Sequence, residues 1–365
     1  MTSITYPVSR IPTSPRLDQR RADIMAYWLL GVTAMVVVMI ALGGLTRLTH
    51  SGLSMVEWKV FTGWIPPLSD ADWAELFAKY QLSPEFRQVN ADMTIEGFKG
   101  IFWLEYIHRV WGRLIGLAFF LPCAVFVTMR WVRVTDSLFW KFVGLFVLGA
   151  AQGLMGWFMV LSGLVDRPDV SQYRLVAHLG LALVIVWALL WVAMSLLNRT
   201  PYDKHHQDGD AMRGWAKWLT ALVFVTALSG GFVAGTDAGF AYNTFPLMDG
   251  ELIPDGLFAH DPVWLAPFED ITTIQFDHRV LASITALLIL WFWMKSVDVH
   301  LAPRTRRAIT WLGYMALIQV GLGVSTLLLV VPLTLASLHQ LGAVAVFSLA
   351  VWCAHELRAP HRGSL

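Results

Sequence analysis

Eight apolar segments, each long enough to cross a lipid bilayer, constrain the fold of this 365-residue chain more than any other feature. A transmembrane helix needs about 20 mostly apolar residues to cross about 30 Å of hydrocarbon. The segments lie at about 25–45, 101–129, 139–162, 174–197, 214–235, 278–294, 308–331 and 335–355. Hydrophobic residues make up 56% of the chain and charged residues only 15%, which is unusual for a soluble domain. The sequence therefore predicts an all-α polytopic membrane protein with eight transmembrane helices.

The distribution of Lys and Arg predicts how this bundle is oriented. Most of them lie in the N-terminal tail, in the connections near 130–141, 198–217 and 295–307, and at the C-terminus. The opposite side includes a loop at 236–277 that has no Lys or Arg but many carboxylates. By the positive-inside rule, both termini are expected in the cytoplasm. The net charge of +1 and the lack of a basic stripe give no indication of nucleic-acid binding.

The N-terminal region predicts the membrane in which the chain resides. Residues 1–24 contain Arg but lack the apolar core of a cleaved signal peptide, so the first helix is expected to be its own insertion signal. Arg and Ser in this stretch also suggest a mitochondrial transit peptide, but Asp18, Asp23 and the short length weigh against that interpretation. We therefore predict a multi-pass protein of a bacterial inner (cytoplasmic) membrane.

The second half of the chain resembles the first at four landmarks that occur in the same order. The matched pairs are 105–110 with 275–280, 175–180 with 336–341, Gly43-Gly44 with Gly230-Gly231, and Gln152 with Gln319. This order predicts duplication of a four-helix unit. Because four is an even number, the two copies cross the membrane in the same direction, as a parallel repeat. Two parallel-repeat four-helix bundles are therefore expected, and an inverted-repeat transporter is disfavoured.

The repeat also predicts the organisation of the chain. Its parts are a cytoplasmic tail at 1–24, a first half at 25–197, a cytoplasmic linker at 198–213, a second half at 214–355 and a tail at 356–365. Two long outer loops, at 46–100 and 236–277, are rich in Trp, Pro and acidic residues. The first of them is expected to contain a short amphipathic helix near 70–80. Function is expected on this outer side, where the connections are longest.

Four histidines lie inside the apolar segments, at corresponding positions of the two halves: His108, His178, His278 and His339. Ionisable residues within a membrane predict a functional site. Two imidazoles at one depth on neighbouring helices can bind one heme iron, so we expect His108 to pair with His178 and His278 with His339. An interhelical hydrogen bond would explain any single histidine. A copper or zinc site is a further alternative, although Cys, Asp and Glu are not clustered around the four.

One position distinguishes the two expected sites. Glu105 precedes His108 by about one helical turn, whereas the corresponding residue in the second half is Gln275. A carboxylate can take or give a proton and an amide cannot, so the first half is expected to react and the second to transfer electrons. An ion pair of Glu105 with Arg109 or Arg113 is the alternative interpretation, and it does not exclude catalysis.

Two arginines follow histidines at corresponding positions of the halves. Arg109 follows His108 and Arg279 follows His278. Both are candidates for contact with heme propionates, because a guanidinium group binds carboxylates well. Anchoring at the membrane surface explains them equally.

Five motifs of the first half carry a resemblance to a known family. They are Gly43–Thr49, Ser51–Met55 followed by Trp58, Gly63–Pro67, Ser83–Phe86 and Phe102–Arg109. Together they resemble the heme A synthases of the mitochondrial and alphaproteobacterial branch, and the resemblance covers nearly the whole chain after residue 20. It implies an eight-helix protein of two four-helix halves. The implied activity is oxidation of the C8 methyl group of heme O to a formyl group, by successive oxidations through a hydroxymethyl intermediate.

The resemblance also implies roles for the expected site residues. His108 and His178 would hold the substrate, heme O, with Glu105 as the functional carboxylate. His278 and His339 would hold heme B, whose iron would pass electrons. Heme O synthase and cytochrome oxidase assembly factors are the partners it implies, and small-residue helix faces permit self-association. Another branch of the family has a cysteine pair in the first outer loop, and residues 46–100 contain none, so no thiol relay is predicted there.

Two other functions compete with this one. A diheme b-type protein would pass electrons between a quinol and a partner without changing its hemes, and a heme-binding or heme-export module is the third hypothesis. A carboxylate at only one site, and outer loops long enough to cover a substrate, favour the synthase. Pigment analysis separates the three, because only a synthase forms heme A or its alcohol intermediate.

Overall fold

The computed structural model describes residues 19–58, 62–164, 168–197 and 209–358. Within these ranges the chain forms eleven α-helices. They are α1 (Gln19–Leu48), α2 (Asp70–Tyr80), α3 (Pro84–Gln88), α4 (Ile95–Thr128), α5 (Ser137–Gly163), α6 (Gln172–Leu197), α7 (Gly209–Gly235), α8 (Ala266–Glu269), α9 (Ile271–Ser296), α10 (Pro303–Leu328) and α11 (Leu333–Glu356). Eight of these, all except α2, α3 and α8, are long and apolar enough to cross a membrane, which confirms the predicted number.

Several helix boundaries differ from the predicted ones. The largest difference is at α9, which begins at Ile271 rather than at 278, because the Asp270 side chain caps it by accepting from the backbone N–H of Thr273 at 3.3 Å. α1 begins at Gln19, inside the predicted tail, and α7 begins at Gly209, inside the predicted linker. The rest of these predicted segments, 1–18 and 198–208, lies outside the described residues, as does 359–365 of the C-terminal tail.

The two ends of the bundle are packed differently. We call the end that contains the start of α1 the inner end, and the end that carries α2, α3 and α8 the outer end. The large apolar core lies toward the inner end, where Met25, Leu29, Leu183, Leu219 and Val351 are almost completely buried. The four histidines lie toward the outer end, and each is only partly buried. The large apolar core therefore stabilises the inner end of the bundle, and the four histidines do not belong to it.

Helices α2 and α3 pack on the outer end of α4. α2 has a capping box, in which Ser69 accepts from the backbone of Asp72 and Asp72 accepts from the backbone of Ser69. Hydrogen bonds from the backbone of Leu68, and from the side chain and backbone of Ser69, hold the pKa of Asp72 below its usual value. The amphipathic helix predicted near 70–80 is thus confirmed. Its apolar face joins α4 in an aromatic cluster of Trp73, Tyr80, Phe98, Phe102 and Tyr106.

Contacts between the first and second halves occur at corresponding glycines. α1 packs on α11, where Gly44 lies against the Gln340 side chain, which also donates to the carbonyl of Ile40 at 2.9 Å. α7 packs on α6, where a Cβ at Gly231 would lie 3.2 Å from Leu179. Gln340 and Leu179 each follow a histidine. Only a residue without a side chain allows the helices to approach this closely.

Candidate functional site

Each of the four histidines lies against a glycine of a neighbouring helix. A Cβ at Gly43 would lie 3.5 Å from the Nε2 atom of His108, and one at Gly230 would lie 3.0 Å from the Cε1 atom of His278. The glycines that face the other two histidines, His178 and His339, lie on α5 and α10. There a Cβ would lie 3.1 Å from His178 at Gly156 and 2.8 Å from His339 at Gly323. These glycines allow the imidazole rings to lie close to the neighbouring backbone.

The two histidines of each half lie near each other in the structure. His108 and His178 are near enough for their charges to interact, and the same holds for His278 and His339. The members of each pair lie on different helices of one half, α4 with α6 and α9 with α11. Each half therefore brings together two imidazoles, the number that a heme iron takes from a helix bundle in bis-histidine ligation, and the heme ligation itself stays a prediction.

The first histidine of the second half is held in a defined state by a hydroxyl group. Ser229 donates to the carbonyl of Thr226 at 2.8 Å, so its oxygen accepts from the Nδ1–H of His278, also at 2.8 Å. That bond leaves the lone pair on Nε2 free to bind a metal. The residue corresponding to Ser229 in the first half is Leu42, which has no such group. No side chain among the described residues donates to or accepts from the His108 ring.

The second histidine of each half has a matched glutamine partner. Gln152 donates to the backbone carbonyl of His178 at 3.1 Å, and Gln319 donates to that of His339 at 2.9 Å. Both amide nitrogens also lie near the imidazole ring, at 3.4 Å in the first half and 3.1 Å in the second. The amide oxygens of both glutamines, and Nδ1 of His178, are buried without a hydrogen-bond partner. Such buried polar atoms are a strong indication that the site accepts a further polar group.

The Glu105 carboxylate is buried and bound on both oxygens. Its Oε2 accepts from the Ser54 hydroxyl at 2.6 Å and from the Met55 backbone N–H at 2.8 Å. Its Oε1 accepts from Nε of Arg109 at 2.9 Å, and the Nη2 atom of Arg109 completes an ion pair. The alternative ion pair with Arg109 is therefore present. Arg113 instead donates to the carbonyl of Thr62 at 3.1 Å.

Among the residues that the structure describes, no carboxylate and no hydroxyl bonds to the side chain of Gln275, the residue that corresponds to Glu105. Gln275 donates to the backbone carbonyl of Tyr242 at 3.1 Å, and its amide oxygen is buried without a partner. Ala241 precedes Tyr242 as Ser54 precedes Met55. The first half therefore has a serine and a glutamate where the second half has an alanine and a glutamine.

Both arginines that follow a histidine hold an outer loop in place. Arg109 donates to the carbonyls of Met55 at 2.8 Å and Glu57 at 2.9 Å. Arg279 donates to the carbonyls of Tyr242 at 2.7 Å and Thr244 at 2.8 Å. The two clamps are equivalent, and they establish that Ser54 corresponds to Ala241. Contact of either arginine with a heme propionate stays a prediction.

Two residues of the site were missed by sequence reasoning. Ser54 was noted only as part of a motif, and Ser229 was not singled out. The signal for Ser229 was present, because it directly precedes the Gly230-Gly231 landmark. No local pattern indicated that Ser54 contacts a carboxylate 51 positions away.

Comparison with known proteins identifies similar chains. The family model described as COX15-CtaA, cytochrome oxidase assembly protein, matches residues 26–351. A Nitrosospira multiformis protein named heme A synthase is 52% identical over 334 residues, which cover 92% of this chain and 93% of that protein. A Paramagnetospirillum magneticum protein of the same name is 52% identical, with 91% and 93% covered. Heme A synthase COX15 of Bos taurus is 47% identical over 345 residues, with 92% and 82% covered.

Proposed function

The chain belongs to the COX15-CtaA family of cytochrome oxidase assembly proteins, and we propose that it is a heme A synthase, an oxidoreductase that acts on heme O. The names of its relatives support this assignment, as do identities of 44–52% over most of the chain. The observation that carries the proposal beyond the names is the difference between its two histidine sites. A hydrogen-bonded carboxylate lies beside one site and an amide lies beside the other.

The first half is the reacting half in this proposal. His108 and His178 would hold heme O, and its C8 methyl group would be oxidised to a formyl group through a hydroxymethyl intermediate, with water supplying the oxygen atom and an external acceptor taking the electrons. Glu105 accepts a proton released at the methyl carbon. Ser54 and Arg109 hold the carboxylate in one orientation for that transfer. The loop from Met55 to Glu57, which Arg109 binds, covers the site and excludes bulk water.

The second half holds heme B through His278 and His339. Heme B, when bound, supplies one-electron redox chemistry, and its role is to pass electrons. The residues present fit this group, because Ser229 leaves Nε2 of His278 free and Gly230 and Gly323 let both rings approach the backbone closely. Gln275 neither takes nor gives a proton, which suits a site that transfers electrons without changing its heme.

The arrangement in the membrane is also part of the proposal. We infer a parallel repeat of two four-helix halves, supported by the equivalent glycine, glutamine and arginine contacts. Both termini lie on the cytoplasmic side of a bacterial inner membrane, and the histidine sites lie in its outer leaflet. Heme O synthase and oxidase assembly factors are the proposed partners, and self-association through small-residue faces is compatible with the fold.

Heme analysis tests the proposed function directly. The full chain is expressed in a host that makes heme O, and the hemes are extracted and separated by chromatography, with and without the gene. Heme A or hydroxylated heme O that appears only with the gene is the expected result. Abundant, unmodified heme O beside bound heme B would contradict the proposal and favour the diheme electron-transfer protein.

A further inference from the structure

One face of α5 consists of glycines and begins at the second histidine of the first half. Gly156 lies against His178, where a Cβ would lie 3.1 Å from the imidazole ring. Gly153 and Gly149 lie on the same face of the helix, one and two turns nearer the inner end. At either of them, a Cβ would meet no other atom of the described residues within 4 Å. The exposed backbone at Gly149 and Gly153 therefore forms a groove that leads from His178 toward the inner end, and we call it the α5 groove.

Contacts at the two ends of the α5 groove show which helix it faces. At the inner end, Phe146 of α5 contacts Phe120 of α4, with ring centroids 5.9 Å apart. At the outer end, Val160, one turn beyond Gly156 on the same face, lines a cavity together with Arg109 of α4. The α5 groove therefore lies on the side of α5 that faces α4. From Phe146 to Gly156 it is about 15 Å long, at about 1.5 Å of rise per residue.

The second half has side chains where the α5 groove has none. Counting from the matched glutamines, Ala316 of α10 corresponds to Gly149. Ala316 is only 3% exposed, so protein atoms cover α10 at this level. Val320 corresponds to Gly153 and adds an isopropyl group on the same face of α10. On this face of α10, glycine is retained where the helix lies against His339, and the groove below it is filled.

The helices beside these two faces are also packed differently. α4 packs loosely on α5, whereas α9 packs closely on α10. In the second half, the indole of Trp293 on α9 lies against the backbone of Gly313 on α10. The residues that correspond to this pair are Cys123 and Phe146, and Phe146 is 49% exposed. The first half is therefore open between the two helices at a place where the second half is closed.

Two buried polar atoms at the outer end of the α5 groove have no hydrogen-bond partner. They are Nδ1 of His178 and Oε1 of Gln152. The Nδ1 atom would lie 3.8 Å from a Cβ at Gly156, so it faces the glycines of α5. Such atoms indicate that a further group binds beside His178. A ligand bound there can extend an apolar substituent along the α5 groove.

We propose that the α5 groove binds the isoprenoid side chain of heme O. This inference rests on the proposed function. Heme O has a long isoprenoid chain where heme B has only a vinyl group, so a site for heme O needs an additional apolar channel and a site for heme B does not. The structure has such a channel beside His178, and side chains fill the equivalent place beside His339. Because lipid is as apolar as the chain, selection of heme O depends on close packing in the groove.

Binding of both hemes to the purified full chain tests this proposal. Gly149→Val and Gly153→Val each place a side chain in the α5 groove, and Gly144→Val is the matched control. A Cβ at Gly144 also meets no other described atom within 4 Å, but Gly144 lies on a different face of α5. Absorption titration of protein whose second site already holds heme B measures the affinity of the first site for heme O and for heme B. Both groove variants are expected to bind heme O about tenfold more weakly, as overpacking predicts, with heme B binding unchanged.

Two results of this titration would overturn the proposal. One is a heme O affinity that is the same in the groove variants, the control and the wild type. The other is an equal loss of affinity for heme O and heme B, because that loss would concern the porphyrin and not the chain.

A measurement on the wild type applies even if the variants do not fold. Heme O with a photoreactive group on its isoprenoid chain is expected to label residues 146–153 of α5 or the facing part of α4. Labelling of other segments alone would place the chain in the surrounding lipid and contradict the proposal. Heme O that labels the groove but is not oxidised would instead contradict the proposed function and leave this inference in place.

Discussion

The two halves of this protein have nearly the same frame and different chemistry. In both, a glycine faces each histidine, a glutamine binds the second histidine's carbonyl, and an arginine clamps two outer-loop carbonyls. They differ in the polar side chains near His108 in the first half and near His278 in the second. The first half has Ser54 with Glu105, and the second has Ser229 bound to His278. A serine hydroxyl thus bonds to the Glu105 carboxylate in the first half and to the His278 imidazole in the second.

In the proposed function, this difference gives two similar sites different roles. A hydroxyl that accepts from the imidazole Nδ1–H holds an iron ligand rigidly, which suits a permanent cofactor. A histidine without such a bond releases the iron of a heme more easily, which suits a substrate heme that must leave as product. A carboxylate held beside it provides a proton acceptor. Substitutions of Glu105, Ser229 and Ser54 test this division, and a substitution of Glu85 tests the stability of the outer loop beside it.

Replacing the carboxylate makes the first half resemble the second. Glu105→Gln is expected to slow heme O conversion by about 10²- to 10⁴-fold, the usual contribution of a general base. Both hemes should remain bound, because all four histidines are intact. The measurement is the rate of heme A formation together with heme content. Glu96→Gln, an exposed position of α4 that pairs with Lys99, is the matched control. Heme A formation at the normal rate would refute the catalytic assignment of Glu105.

Removing the Ser229 hydroxyl, which bonds to His278, tests the proposed heme B site. Ser229→Ala is expected to weaken retention of the second heme by about 10- to 100-fold, as for other partners of metal-binding histidines. A change in the reduction potential of that heme should accompany it, with the first site unaffected. Spectroscopic titration of the purified protein measures both. Ser283→Ala, which removes a hydroxyl of α9 bonded to the Arg279 carbonyl, is the control. Equal retention in the two variants would contradict the role of Ser229.

Removing the Ser54 hydroxyl, which donates to Glu105, tests the proposed reacting site and leaves the carboxylate in place. Ser54→Ala, which copies Ala241, is expected to lower the turnover rate about tenfold. This factor is the lower end of the about 1.5–3 kcal/mol that a hydrogen bond to a charged group contributes, because Met55 and Arg109 still bind Glu105. Ser54→Thr retains the hydroxyl and should restore most of the rate. The decisive measurement is turnover at saturating heme O for both variants. If alanine and threonine gave the same rate, the hydroxyl would have no part in positioning the carboxylate.

Replacing Glu85 is expected to have the smallest effect, because it changes the stability of the fold and leaves both histidine pairs intact. Burial raises the pKa of Glu85, a residue of α3, to about 7, above the ordinary value of 4.5, so the folded state binds the proton more tightly than the unfolded state. Its contribution to stability is complete below pH 4.5 and is lost as the pH rises to about 7, by about 3 kcal/mol. Glu85→Gln should remove this slope. Thermal unfolding followed by tryptophan fluorescence, between pH 5 and pH 8, measures it, and an unchanged slope would argue against a buried, titrating Glu85.

Much of the architecture could be predicted from the sequence, because it depends on short-range rules. The eight spans follow from apolar length, and the ion pair between Glu105 and Arg109 follows from helical spacing. The start of α9 was predicted seven residues late, since the cluster Asp277–Arg279 reads as polar. The structure places that cluster within the helix, after the Asp270 cap.

The sequence by itself determined the helices, the matched histidines and the carboxylate present in only one half, because these depend on residue type and periodicity along a single helix. Only the tertiary structure decided which hydroxyl each half uses and how deeply Glu85 is buried. Ser54 reaches Glu105 across 51 positions of chain, and Ser229 reaches His278 from another helix. Such contacts depend on how a loop folds over a helix end and how two helices rotate against each other. Packing of many side chains determines both, and no local pattern records it.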